Sequence, residues 1–279
     1  MPVPLPPALA QILDVLRCPI CRGPLRPDRG ALRCPAGHTF DLARHGYVGL
    51  LTGTRAVSAD DAAMAQARAR FLATGAYLPI RHAVARLAAD AGPGTVLDVG
   101  CGTGYYLVGV LARLTDARGL GLDASVRALR SAARAHERAA AASWDVSRRF
   151  PVADRAADLV LNVFAPRNPA EFRRVLRPTG RLIVVRPTDR HLTELRHRVR
   201  AMVTVDPAKE QRLHHALDPH FMAARTERVD YLAPLTGSDA LDLVGMSPSA
   251  RHVSRADAVS GPLPGHVTVS VLATVYRPR

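Results

Sequence analysis

Lysine is all but absent from this chain. Lys209 stands alone among cationic residues that are otherwise arginine. Acidic residues are also short, with 24 Asp+Glu against 38 Lys+Arg and a formal net charge of +14. Arginine bias with heavy alanine use fits a GC-rich genome, which explains the choice of cation but not its excess. That excess points to an acidic partner, of which nucleic acid is the commonest. Clusters such as RHRVR at 196–200 also read simply as one solvated helix face. No apolar run approaches the roughly 20 residues that span a bilayer. The N-terminal MPVPLPPALAQILDVLR lacks a basic n-region and a small-residue cleavage site, so a cytoplasmic chain with no membrane partner is expected. Only 4 cysteines occur in 279 residues, and a reducing cytosol argues against a stable disulfide. A hydrophobic content of 48% excludes disorder. The length allows a large domain with a core plus a small one.

Three of the four cysteines lie in CPICRGPLRPDRGALRCPAGH, residues 18–38. Cys18 and Cys21 form C-x2-C; twelve residues later Cys34 and His38 form C-x3-H. Three thiolates and an imidazole make a closed four-coordinate set suited to structural zinc. Proline follows the first cysteine of each pair, and Gly23 and Gly37 shape tight knuckles. The intervening RGPLRPDRGALR predicts a hairpin turning at Asp28-Arg29-Gly30, so the whole reads as a zinc ribbon. Phe40 and Tyr47 are expected to pack beside it. A redox reading of CPIC needs a βαβ setting that is missing here. A segment this small cannot bury enough core to fold alone, and metal binding supplies the difference.

The second motif is TVLDVGCGTGYYLVGVLARL, residues 95–114. An apolar strand turns through Gly100, Gly102 and Gly104 into an amphipathic helix. The next strand, GLGLD, ends in Asp123, 25 residues after Asp98. A carboxylate there suits the ribose hydroxyls of a nucleoside cofactor. The form D-x-G-x-G-x-G differs from the G-x-G-x-x-G that cradles a pyrophosphate on a helix N-terminus. It resembles motif I of class I methyltransferases that use S-adenosylmethionine (SAM), with Asp98 facing the cationic methionyl end. After Asp123, SVRALRSAARAHERA reads as a helix and AAAASW as a third strand, where Trp144 or Asp145 borders the adenine or joins the core. RAADLVLNVFAP gives a fourth strand, then a helix, a Pro-Thr-Gly turn and a fifth strand. HLTELRHRVRAM reads as helical. TERVDYLAPL and HVTVSVLATVYRPR read as two last, antiparallel strands. The succession is α/β, a seven-stranded Rossmann-like SAM-dependent methyltransferase sheet behind a small N-terminal zinc ribbon. Expected boundaries are 1–51 for a zinc-ribbon RNA-recognition domain, 52–80 for a linker and helical lid, and 81–279 for the methyltransferase domain. TGTRAVSAD, 52–60, is read as the linker or mobile part of that lid.

CPIC…CPAGH, TFDLARHGYVGLL, DDAAMAQARARFLATGAYLPI, VLDVGCGTGYY, LNVFAPRNPAEFRRVLRPTG and RPTDRHLTEL occur in that order. In that combination, from about Arg17 to Arg279, the chain resembles the 23S rRNA (guanine-N1)-methyltransferases, particularly the branch containing the tylosin-resistance enzyme. The resemblance implies that Cys18, Cys21, Cys34 and His38 hold zinc. It implies that Tyr77, Gly102, Thr103 and His191 contact SAM, alongside Asp98, Gly100, Gly104 and Asp123 from the motif. It further implies a homodimer with a basic RNA cleft. The expected product is one methyl on guanine N1 in a 23S rRNA hairpin loop lining the peptide exit tunnel, which lowers macrolide binding. One departure concerns Ala142, where the tylosin-resistance pattern has an acid before the strand-three tryptophan.

Guanine N1 carries a proton and lies on the Watson–Crick edge. The base must be unpaired or flipped, and the N1 proton needs an acceptor. Methyltransferases commonly place their acceptor at the end of strand four, which makes Asn162, Phe164 and Arg167 the catalytic candidates. Phe164 is read as a guanine platform or a core residue, Asn162 as orienting the base edge or capping the strand. Arg167 is read as meeting a phosphate or guanine O6, and Glu171 as a base or a solvated helix residue. Two rival readings are a methyltransferase for a small natural product, and a zinc-ribbon RNA binder without SAM. The first has no need of the ribbon or the charge, and the second has no need of an intact DVGCGTG.

Overall fold

The computed structural model describes residues 4–52, 60–92, 94–199, 202, 212, 215–247 and 262–279. Most of the expected linker, 53–59, therefore lies outside the described residues, as do Arg200 of RHRVR and Lys209. Among the described residues the strands form two sheets. The small one holds β1 (Arg26–Asp28), β2 (Ala31–Arg33) and β3 (Thr39–Asp41), all antiparallel. Asp28 faces Ala31, so Arg29 and Gly30 form a two-residue loop with φ of 42° and 86°. Positive φ at both positions is the turn whose twist matches a hairpin, and Gly30 adopts it without a Cβ penalty.

The large sheet contains β4 (Val48–Gly49), β5 (Thr95–Val99), β6 (Arg118–Asp123), β7 (Ala139–Ser143), β8 (Ala157–Val163), β9 (Leu176–Pro187), β10 (Phe221–Pro234) and β11 (His266–Pro278). Its order is β10-β11-β9-β8-β5-β6-β7-β4. Strands β5 to β9 run parallel, and β10 and β11 pair antiparallel as expected. The eighth strand is an addition to the expected seven. It comes from the N-terminal segment, where Val48 and Gly49 pair in parallel with Ala142 and Ser143. The ribbon is thus continuous with the edge of the large sheet.

Side chains alternate across each strand. Leu97, Val99, Leu120, Leu122, Leu182 and Val184 face one layer, with Leu9 and Ile12 of α1 (Pro7–Ile12) and Phe172 of α6 (Pro169–Val175). Val96, Leu159, Leu161, Ile183 and Val185 face the other. There they meet α2 (Ala62–Ala73), α3 (Leu78–Ala88), α4 (Tyr105–Arg113) and α8 (Gly237–Gly245). Further helices are α5 (Val126–Ala132) and α7 (Thr193–Arg198), the latter shorter than HLTELRHRVRAM suggested. Phe40 joins the first layer, whereas Tyr47 packs against Cys101 and Leu129 rather than the ribbon. No helix among the described residues is long and apolar enough to cross a membrane.

Candidate active site and metal centre

The hairpin brings the two knuckles face to face. One ligand atom from each of Cys18, Cys21, Cys34 and His38 lies within 4.8 Å of all the others. Cys21 Sγ is 3.5 Å from Cys34 Sγ, and His38 Nδ1 is 3.3 Å from Cys34 Sγ and 3.6 Å from Cys18 Sγ. Tetrahedral zinc with Zn–S near 2.3 Å sets its ligands roughly 3.5 Å apart, so the set fits that ion. The Cys21 backbone N–H donates to Cys18 Sγ at 3.5 Å. Burial pushes the Cys34 thiol up, but hydrogen bonds from Cys21 and His38 outweigh it and bring it down to about 6. All four positions are filled by protein, which makes the metal a structural one.

The second site forms where parallel strands end, the usual ligand crevice of such sheets. The loop after β5 is tied to β6 by Gly100 and Cys101 N–H groups donating to the Leu122 carbonyl, at 2.8 and 3.1 Å. Gly100, Gly102 and Gly104 are all left-handed, with φ of 80°, 53° and 82°. A Cβ on Gly100 would stand 2.4 Å from that of Ala165, so backbone is all that fits. Thr103 lies between these glycines at the entrance to α4. Asp123 ends β6, and its two oxygens accept from the N–H groups of Gly102 and Ser125, each at 2.8 Å. Asp98 is 1% exposed and its Oδ2 has no partner among the described residues. Burial, then the Asp123 charge, push its carboxyl up to about 7. An orphaned buried carboxylate needs a donor, and the ammonium of SAM is a group that would fit there. The bare glycine loop and the strand-end Asp123 fit the rest of that molecule.

An aromatic group closes the other side. Phe164 stacks on His191, with centroids 5.9 Å apart and planes at 22°. Tyr77 lies 6.2 Å from Phe164, and Tyr106 lies 6.4 Å from it. Phe71 meets Tyr77 edge-on at 5.0 Å. His191 Nδ1 accepts the Ser270 backbone N–H at 3.2 Å, which leaves the neutral ring's proton on Nε2, 3.3 Å from the Tyr77 hydroxyl. Burial, assisted by Arg196, holds His191 down at about 4, so it stays neutral and donates to Tyr77. Its only lone pair is already used, so His191 is no proton acceptor.

Phe164 is 37% exposed and has φ of 53°. A left-handed aromatic residue is rare, and such strain persists where its surroundings hold it. Here the Phe164 N–H donates to Val185 at 3.2 Å. Asn162 and Arg167 do not join this group. Asn162 shares the strand face of Val160, opposite to Leu161 and Val163. Its amide donates to the Pro166 and Val99 carbonyls at 2.9 and 3.4 Å, while Oδ1 is buried without a partner among the described residues. It braces the loop that carries Phe164. Burial, then the Arg186 charge, lower the Arg167 guanidinium, which lies near Tyr276 in the opposite layer. Glu171 is not on a solvated helix face; its carboxylate is engaged with Arg174 and the Phe150 backbone. It accepts from Arg174 at 2.8 and 2.6 Å and from the Phe150 N–H at 2.6 Å. Trp144 is buried in the first layer, its backbone N–H donating to the Asp123 carbonyl at 2.8 Å.

Sequence reasoning missed Tyr106, Phe71, Arg68 and Asp60. Tyr106 stood in the quoted motif, and the i, i+3 spacing of Arg68 and Phe71 would have put both on one helix face.

The sequence is similar to that of known proteins. Residues 16–54 match the family model described as RlmA, N-terminal, a zinc ribbon, and residues 96–180 match that of a methyltransferase domain. The 23S rRNA (guanine(748)-N(1))-methyltransferase of Streptomyces fradiae is 46% identical, over 96% of this chain and 98% of that protein. A Micromonospora griseorubida protein provisionally named as a 23S rRNA (guanine-N1)-methyltransferase shows the same identity and coverage. A Bacillus subtilis protein of like provisional name is 38% identical over 66% of this chain and 68% of its own length. With its ribbon ligands gathered and its glycine loop at the strand ends, this chain belongs to the 23S rRNA (guanine-N1)-methyltransferase family.

Proposed function

We propose that this protein methylates N1 of a guanine in the 23S rRNA hairpin loop that lines the peptide exit tunnel, acting in the cytoplasm as a homodimer and lowering macrolide binding. The observation that carries the acceptor reading is Phe164: exposed, strained and stacked on His191 beside the cofactor loop. A splayed loop guanine stacks on such a ring. Alanine replacement of a stacking aromatic costs about 1–3 kcal/mol per base. A bound SAM would supply an electrophilic methyl for guanine N1 with its thioether as leaving group, the N1 proton passing to solvent. The chain's part is positioning, which in such displacements supplies much of the barrier reduction. Tyr77, Gly100, Gly102, Thr103, Gly104, Asp98, Asp123 and His191 hold the donor, Phe164 holds the base, and Asn162 keeps the Phe164 loop in place. Arg167, in this reading, braces the same loop from the other layer.

Exposed Arg26, Arg29 and Arg33 on the ribbon hairpin support an RNA-facing role for it. The test has two parts. Phe164→Leu is expected to raise the KM for RNA about tenfold or more while leaving SAM affinity within about twofold. An unchanged KM would remove Phe164 from the acceptor site. Primer-extension stops on treated 23S rRNA then place the methyl; a stop outside that hairpin loop contradicts the proposed substrate. The position of the stop then shows whether the methylated base corresponds to guanine 748, named for the Streptomyces fradiae relative, or to another guanine of that loop.

A further inference from the structure

The SAM cleft has an excess of acid. Asp98 and Asp123 line it, and Asp60 sits close enough to Asp123 for their charges to oppose each other. The methionine portion of SAM carries a carboxylate as well as an ammonium, and a carboxylate cannot be left among three acids without a cation. Arg68 of α2 lies over the glycine loop, its Cδ 3.5 Å from where a Cβ on Gly102 would be. Its charge is felt by Asp123 and by the hydroxyls of Tyr77 and Tyr106.

The guanidinium is held on two sides. Nε donates to Asp60 Oδ2 at 2.8 Å and Nη2 to the Met246 carbonyl at 2.9 Å. Asp60 is itself anchored, its carbonyl accepting from Ser125 Oγ at 2.8 Å, and Ser125 caps the same turn that binds Asp123. Two residues further along α2, Arg70 forks onto both oxygens of Asp242 and fixes α2 to α8. A guanidinium has five N–H donors. Two bonds from Arg68 account for its support and leave Nη1 with no protein acceptor among the described residues. A planar cation pinned in this way is pre-organised for a carboxylate.

We infer that Arg68 is a cofactor-binding residue, the counter-charge for the α-carboxylate of SAM, opposite Asp98 and the ammonium. This rests on the SAM reading of the cleft. The test compares SAM with decarboxylated SAM, which keeps the sulfonium, the ammonium and the nucleoside. Arg68→Met retains the stem and removes the charge. It is expected to weaken SAM by about 10- to 100-fold and to change decarboxylated SAM by no more than about twofold. Equal weakening of both ligands, or of neither, overturns the inference, because a loop-supporting role ignores the carboxylate. If Arg68→Met fails to fold, Arg68→Lys serves. A smaller loss confined to SAM supports the counter-charge, and a loss shared by both ligands overturns it. A wild-type protein that binds neither ligand overturns the cofactor reading itself, a result distinct from failure at Arg68.

Discussion

Asp98 is a carboxyl at 1% exposure whose Oδ2 has no partner among the described residues, and its chemistry is set by that burial. Burial, with Asp123 nearby, raises it to about 7, so below that pH the free enzyme holds it protonated. In the proposed site, an ammonium bound at Asp98 would favour the carboxylate and expel the proton. Affinity for SAM therefore rises as pH climbs through about 7. It falls again above roughly 8, where an α-amino group loses its charge. Asp98→Asn is expected to flatten the lower limb, and calorimetry in buffers of different ionisation heat reads the released proton directly. A pH-independent affinity between 6 and 8 would contradict this assignment. Gly100 is the other residue whose role is decided locally: Gly100→Ala forces a Cβ to 2.4 Å from Ala165 at a left-handed φ. The loop must shift, and SAM binding is expected to drop more than about tenfold. Unaltered binding would show that this loop does not approach the cofactor. Both residues were legible in the sequence, because D-x-G-x-G-x-G after a strand states a backbone requirement. Arg68 was not, since one arginine in an arginine-rich helix carries no local mark; only its placement over Gly102 distinguishes it.

At the scale of elements, the ribbon and the sheet are physically one. Val48 and Gly49 extend the sheet past β7, and Leu9, Ile12 and Leu16 share a buried layer with Leu120 and Leu122. The zinc ligands were readable from spacing alone, as was the hairpin turn. The eighth strand was not, because two residues show no periodicity and their pairing with Ala142 is non-local. The fusion has a thermodynamic consequence. Metal removal should lower the main unfolding transition, measured by thermal melts with and without a chelator, and Cys18→Ser should do the same. A main transition that ignores the chelator would mean that the ribbon folds independently. On the opposite layer, Phe71 links α2 to Tyr77 and is fully buried. Phe71→Ala is expected to destabilise the fold by about 3–5 kcal/mol and to loosen the aromatic group with it, as denaturant melts and SAM titration would report. A loss below about 1 kcal/mol would show that α2 is not packed as described.

Across the whole molecule, the +14 net charge and the exposed ribbon arginines describe a protein built to meet a polyanion. RNA affinity should fall steeply with salt, as the logarithm of salt concentration, because phosphate neutralisation releases counterions. SAM affinity should respond far less. The order of motifs made the overall architecture readable from the sequence: a ribbon, then alternating strands and helices, then an antiparallel pair. The acceptor side was harder to read. Asn162, Phe164 and Arg167 are near neighbours in the chain, yet strand alternation and a left-handed turn send them to different layers. Whether this cleft serves RNA is decided by its product. The measurement is transfer of labelled methyl from SAM to unmodified 23S rRNA, with the nucleoside identified by mass spectrometry. The account predicts one 1-methylguanosine per rRNA. A protein that binds SAM yet transfers nothing to rRNA, free or in ribosomal particles, would contradict it and point to a small-molecule acceptor.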